Sequence, residues 1–366
     1  MSQATKRSQR VGGRSRRSLA AVVVMTAGLL VGALLAITPA GAAPRATQAS
    51  SKRDVYGFNA PDAAAVTGND LFVANKMGNS ITEVGASDGA FMKVLEGAKY
   101  HLDEPSALLV LGKDLFVANA KAGVTEIAVS NGALVRTYRG AKYFSGAIAL
   151  ATNGSGDLYV LNAGGSGSIT KVVTTSGKMS AFRFSLDKPE GMAAAGQDLF
   201  VTNSADNSVT EIDGATMKVL TTLSSATYQF NEPTGIVASG SYVWVANYAG
   251  FSVTQFSAAT NQFIQAVRDA SNLPDPGPIT SGDGYVFAAS PPGASPMISQ
   301  IPLTPSSSVK WMMCNTNGPY DFSNPEALVV AGTHLWVVNE GGPSAPWPAS
   351  LTEMQTGSGR LIRTVS

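Results

Sequence analysis

Three acidic residues, Asp62, Glu190 and Glu326, each directly follow a proline, and Ser106 and Thr234 hold the same place after Pro105 and Pro233. Asp103, Glu104 and Glu232 stand just ahead of those prolines. If the segments are equivalent strands of a ring, the three carboxylates converge at one mouth. There they could hold a hydrated divalent cation, calcium or magnesium, since hard cations prefer oxygen ligands. The same charges would also attract a basic ligand, or stand as solvated rim charges. Other catalytic groups are scarce. Proton transfer and nucleophilic attack usually call on His, Cys or paired carboxylates in one pocket, and the chain has two histidines, His101 and His334, and one cysteine, Cys314. Cys314 has no histidine near it in sequence, and a lone thiol is ordinarily a small buried hydrophobe.

A second recurring feature is aromatic. Tyr56, Tyr100, Tyr228 and Tyr320 each stand five residues before a proline, and Tyr143 falls in the corresponding place of another segment. A ring of tyrosines would suit stacking on a sugar or peptide; equally, each could wedge between neighbouring repeats. Trp347, between Pro346 and Pro348, and the nearby Glu340 lie in an expanded loop near the C-terminal end, and 290–296 is a second Pro-rich expansion. Ligand contacts are expected from Trp347, Tyr56, Tyr100, Tyr320 and Glu340, in a pocket between the last two repeats and the first.

The elements that position these residues come from a repeat. Asp70-Leu71-Phe72-Val73-Ala74-Asn75 returns at 114–119, 157–162 and 198–203, with weaker copies at 242–247, 284–290 and 334–339. Seven copies spaced by 40–50 residues and built of strands indicate a propeller. Residues 190–223 show four strand-like runs, 190–195, 198–202, 208–212 and 217–223, separated by turns (Gly196-Gln197, 204–207, 213–216), one antiparallel blade. Both faces of a blade meet neighbours, which accounts for continuous apolar runs in place of strict alternation. The expected fold is all-β, a seven-bladed β-propeller over 55–366, its first strand starting at Pro61 and its last ending at Val365. Val55-Tyr56 would extend the final sheet. Loops joining blades share the top face with the loop between the second and third strands, which puts His101 on top and His334 beneath. The recurring asparagines (Asn75, Asn119, Asn162, Asn203, Asn247, Asn339) would satisfy backbone groups of the following turn.

The strand Leu71-Phe72-Val73-Ala74-Asn75, the strand Asn207-Ser208-Val209-Thr210-Glu211-Ile212 and the Gly-containing turns resemble the YVTN and NHL families of bacterial β-propeller repeats, over about 55–366. The resemblance implies the fold and little about activity, because those families include surface binding proteins and a few enzymes. Virginiamycin B lyase is a more distant enzymatic likeness; its histidine, glutamate and magnesium set has no match here in spacing.

Residues 1–42 read as an export signal: six basic residues (Lys6, Arg7, Arg10, Arg14, Arg16 and Arg17), an apolar run from Leu19 to Ile37, and Ala40-Gly41-Ala42 as a cleavage site, with no acid until Asp54. Ser15-Arg16-Arg17-Ser18-Leu19 partly resembles a twin-arginine signal. Residues 43–54 form a linker. Once the leader is removed, 20 basic residues face 25 acidic ones, a mildly acidic chain with no basic stripe for nucleic acid. The location is then secreted or cell-envelope associated, with no membrane span after cleavage and a monomer expected. The partner would be an extracellular glycan, peptide or protein. The leading function is an exported binding or scaffold propeller; the alternative is a cation-dependent lyase or hydrolase at the channel mouth.

Overall fold

Seven four-stranded antiparallel sheets, each built from consecutive strands A to D, make up the ring. The computed structural model describes residues 55–290, 296–304, 310–314, 322–341 and 348–366; the export signal, the linker, Trp347 and Tyr320 lie outside the described residues. Blades 1 to 7 occupy 61–95, 105–138, 147–183, 189–223, 233–268, 279–314 and 325–365. Among the described residues no helix is long and apolar enough to cross a membrane.

Strand B carries an aromatic residue at its third position in every blade: Phe72, Phe116, Tyr159, Phe200, Trp244, Phe287 and Trp336, all buried. These rings fill the wedges between blades, and the buried apolar clusters accordingly lie at interblade contacts. The seam between blade 7 and blade 1 is packed in the same way, Trp336 and Val338 sharing a cluster with Ala64 and Leu71. Among the described residues no strand is exchanged to close the ring. Instead Trp336 Nε1 donates to the carbonyl of Ala86 at 3.1 Å and Arg363 donates to the carbonyl of Asp88. Gly89 beside them has φ +65°, and a Cβ there would come within 3.2 Å of both Trp336 and Arg363. Val55-Tyr56 does not join the final sheet as expected. Tyr56 is committed to blade 1, its carbonyl accepting from Thr82 Oγ1 at 2.7 Å and its hydroxyl donating to Gly89 O at 3.0 Å.

The strand B asparagines do more than cap a turn. Asn75 Nδ2 donates to Ser80 Oγ and Thr82 Oγ1 of strand C, at 3.1 and 2.9 Å. Asn203, Asn247 and Asn339 repeat both bonds, and Asn119 and Asn162 keep the one to threonine. The threonine hydroxyl donates in turn to the carbonyl of the loop tyrosine: Thr125 to Tyr100, Thr170 to Tyr143, Thr254 to Tyr228. This relay satisfies buried polar groups and, in blades 1, 2, 3 and 5, ties the loop entering the blade to that blade's middle strands.

Candidate functional site

Strand A is innermost, and neighbouring strands A pack against one another around the ring. Its start is shaped by two local features. The residue before its first position takes a left-handed backbone: Ala60, Glu104, Gly146, Lys188, Glu232 and Asn324, with φ between 48° and 66°. The carbonyl of each accepts from the backbone N–H of the residue that follows the strand B asparagine or its equivalent, for example Lys76 to Ala60 and Glu340 to Asn324, both at 3.0 Å. One residue later the ladder skips a position, a β-bulge at Asp62, Ser106, Ile148, Glu190 and Glu326. A bulge re-aims a side chain that regular pairing would lay against the sheet. The bulged residues lie at the upper mouth of the central channel, beside the residues that follow strand B.

This makes a two-position code, read blade by blade. In blade 1 the bulge carries Asp62 and the partner position Lys76, joined at 3.0 Å. Blade 2 has Ser106 and Ala120, and Ser106 Oγ donates to Ala147 O of blade 3 at 2.7 Å. Blade 3 has Ile148 and Ala163. Blade 4 has Glu190 and Ser204, with the hydroxyl donating to Oε1 at 3.3 Å and Lys188 Nζ at 2.9 Å from the same oxygen. In blade 5 Thr234 stands at the equivalent place and donates to Pro276 O at 3.3 Å. In blade 7 both positions are acidic, Glu326 and Glu340.

A cavity of about 740 Å³ opens over blades 7, 1, 2 and 3, lined by Asp62, Glu326, Glu340, Ser106 and Ile148 among others. Lys76 and Lys121 also reach its wall, and Lys121 pairs with Glu104 at 2.5 Å. Met77, at its rim, is 70% exposed. Glu326 is buried here. Loss of water, the nearby Asp62 and the adjacent Glu340, in that order, push its carboxyl up to about 8, although Lys76 and Asn324 oppose the rise. At neutral pH Glu326 is therefore a protonated acid among carboxylates, and Glu340 accepts a hydrogen bond from the Asn324 amide.

The residues singled out from the sequence are thus divided. Asp62, Glu326 and Glu340 come together. Glu190 lies in blade 4, engaged by Lys188 and Ser204, and no group of three or more His, Cys, Asp or Glu among the described residues is arranged to hold a metal ion. Tyr100 is buried, with its hydroxyl donating to Gly132 O at 2.8 Å, and Tyr56 is tied to Gly89. Each bonds to the turn between strands C and D of the blade that its loop enters, and neither lines the cavity. The described cavity has blades 2 and 3 as its far wall; the expanded loops on which the expected pocket between the last two blades and the first depends lie mostly outside the described residues. His101 is exposed and outside it. His334 bonds Glu353 at 2.5 Å on strands B and C of blade 7.

A set of residues missed in the sequence lies on strand C. Glu83, Glu126, Glu211 and Glu353 face Lys93, Tyr138, Asn261 and Arg363, at 2.6–3.1 Å. Burial raises all four carboxyls. Their signal was the recurring Thr-Glu pair on strand C, and they hold blade edges.

No protein-family model and no curated protein sequence matches the chain. Solved structures do. A streptogramin B lyase aligns at 13% identity and TM-score 0.63, over 78% of this chain and 92% of that one. Hydrazine synthase of Kuenenia stuttgartiensis aligns at 16% and 0.63, over 85% and 98%. A computationally designed protein, Ika8, aligns at 14% and 0.58, over 84% and 86%. Identities this low speak to architecture alone. The chain is a seven-bladed β-propeller that resembles propeller repeat proteins.

Proposed function

We propose that this chain is an exported binding propeller that receives an extracellular ligand in the top-face cavity over blades 7, 1, 2 and 3. The observation that carries the reading is a break in the repeat. In blades 1, 2, 4 and 5 these positions pair with each other or tie to the next blade, whereas blade 7 sets two acids there and blade 3 two aliphatic side chains, and both of these pairs line the hollow together with Asp62 and Lys76. Its volume falls in the range of small-molecule sites. Export rests on the basic, apolar and small-residue segments of the leader, and a monomer rests on the closed ring, whose seam is packed like every other blade interface.

The test is the thermal midpoint of residues 43–366 against panels of glycans, peptides and small metabolites, repeated on Ala163→Trp, which fills the hollow from blade 3. A ligand at 100 times its Kd adds about 2.7 kcal/mol, a shift of several degrees in a domain of this size. Ligands that shift the parent and not Ala163→Trp support the reading. Equal shifts in both would place binding elsewhere.

One observation favours a second reading, a lyase or hydrolase: Glu326 protonated beside Asp62 matches the division of labour between a general acid and an ionised partner. Turnover of lactone or glycoside substrates, lost in Glu326→Gln and compared with and without EDTA, calcium and magnesium, decides it. A midpoint indifferent to EDTA and to both cations removes the divalent-cation part.

A further inference from the structure

We infer that the mouth cavity takes an organic cation with an apolar tail: an ammonium or guanidinium head beside Asp62, Glu326 and Glu340, and an aliphatic body lying toward Ile148 and Ala163. This rests on the binding reading above and specifies its ligand class. The first ground is charge. Five carboxyl groups (Asp62, Asp103, Glu104, Glu326, Glu340) and two ammonium groups (Lys76, Lys121) line the hollow among the described residues. Each lysine lies against one carboxylate, Asp62 at 3.0 Å and Glu104 at 2.5 Å, so the hollow as a whole favours a cation. The second is polarity along its length. The carboxyls of blades 7 and 1 stand at one end, and Gly146, Ile148 and Ala163 of blade 3 stand at the other. A carboxylate or phosphate ligand would meet like charge, and a bare metal ion would lack a gathered ligand set. A head group that spreads its charge over several N–H donors does not need one.

Glu326 makes the binding proton-coupled. The groups facing it are Asp62 from strand A of blade 1, Glu340 following strand B of blade 7, and Lys76 following strand B of blade 1. A ligand cation placed among them supplies the positive charge that the proton supplies in the empty site. Glu326 then ionises and its proton passes to solvent, so affinity rises with pH until Glu326 is ionised in the free protein.

Calorimetry on residues 43–366 with hexylamine, hexanol and hexanoate tests this, with acetyl-Leu-Lys amide separating a free amine from a lysine side chain. Hexylamine should bind at least about tenfold more tightly than the other two six-carbon probes, the difference expected of one charge-assisted contact. Titrations in two buffers of different ionisation enthalpy at about pH 7 should show about one proton released. Glu326→Gln should abolish the release and flatten the pH dependence, and Asp62→Asn should weaken hexylamine by about tenfold. If Asp62→Asn fails to fold, Glu340→Gln takes its place. Stronger binding of the lysine peptide than of hexylamine identifies a polypeptide as the source; the reverse identifies a small amine. Equal or better binding of hexanol or hexanoate overturns the inference, as does proton release unchanged in Glu326→Gln, or no binding by either cationic probe. The binding reading survives those results if the panel yields another ligand that Ala163→Trp excludes, and falls with the inference if it does not.

Discussion

Glu326 shows how one side chain acquires a property from its place in the ring. The bulge that presents Ser106 and Thr234 to a carbonyl of the next blade presents Glu326 to two carboxylates, in a place largely shut off from water. Its carboxyl, raised to about 8, holds a proton in the folded chain over a range where the unfolded chain has released it. Its contribution to stability is therefore intact below the ordinary glutamate range, declines as pH rises toward about 8, and is level beyond. Glu326→Gln keeps a neutral side chain at every pH. The variant should match the parent near pH 4 and exceed it near pH 8 by on the order of a few kcal/mol, since each tenfold difference in proton affinity between folded and unfolded chain is worth about 1.4 kcal/mol. Urea unfolding across that pH range measures it. The buried strand C glutamates slope the same way in both proteins, so the difference isolates Glu326. A gap between variant and parent that does not change with pH would sink this account. In blade 4 the same place holds Glu190, engaged by Lys188 and Ser204.

At the scale of a strand and its turn, every blade but the sixth spends two backbone irregularities at the start of strand A, a left-handed residue and then a bulge. Ala60 and Asn324 take the left-handed conformation with a Cβ, while blade 3 uses Gly146. For an L-residue that conformation costs roughly 1–2 kcal/mol, and glycine gives part of it back as chain entropy. Ala60→Gly should therefore raise the thermal midpoint slightly, by up to about 1 kcal/mol in stability, and a fall would mean that the Ala60 side chain packs usefully. The asparagine relay predicts the opposite sign. Asn247→Ala strips Ser252 and Thr254 of a buried donor and should cost about 1–3 kcal/mol by thermal or urea unfolding, whereas Thr254→Val additionally orphans the carbonyl of Tyr228. The asparagines were legible as scaffold because six copies share one context. Their partners were not, since the bonded threonine lies six to thirteen residues away on another strand.

For the ring as a whole, the seam decides whether seven blades behave as one unit. Its closure uses the contact that every other interface uses, a strand B aromatic against the neighbouring blade. Trp336→Ala should accordingly destabilise the whole molecule by about 3–5 kcal/mol, as for other large core truncations. Trp336→Phe, which keeps most of the ring and loses the bond to Ala86 O, should cost nearer to about 1 kcal/mol. Both are read as the midpoint of a single cooperative transition in urea. A second transition confined to blades 7 and 1 would show that the seam opens independently of the rest.

Blade number, strand order and both ends of the ring could be read from the chain, because one short apolar segment recurs seven times and can bury its faces only against copies of itself. Strand boundaries followed, as in blade 4, where the expected runs and the observed strands differ by a residue at either end. That Asp62, Glu190 and Glu326 are equivalent positions was equally plain, since each follows the proline of its blade. Which of them meet was decided only by the closed ring, which sets blade 7 against blade 1 although 250 residues separate Ala86 from Trp336. The tyrosines turned inward for a related reason: the carbonyls that receive their hydroxyls come from the turn between strands C and D, 32 or 33 residues further along the chain. Sequence spacing specifies equivalence, whereas charge, solvent exclusion and proton affinity depend on distances through space.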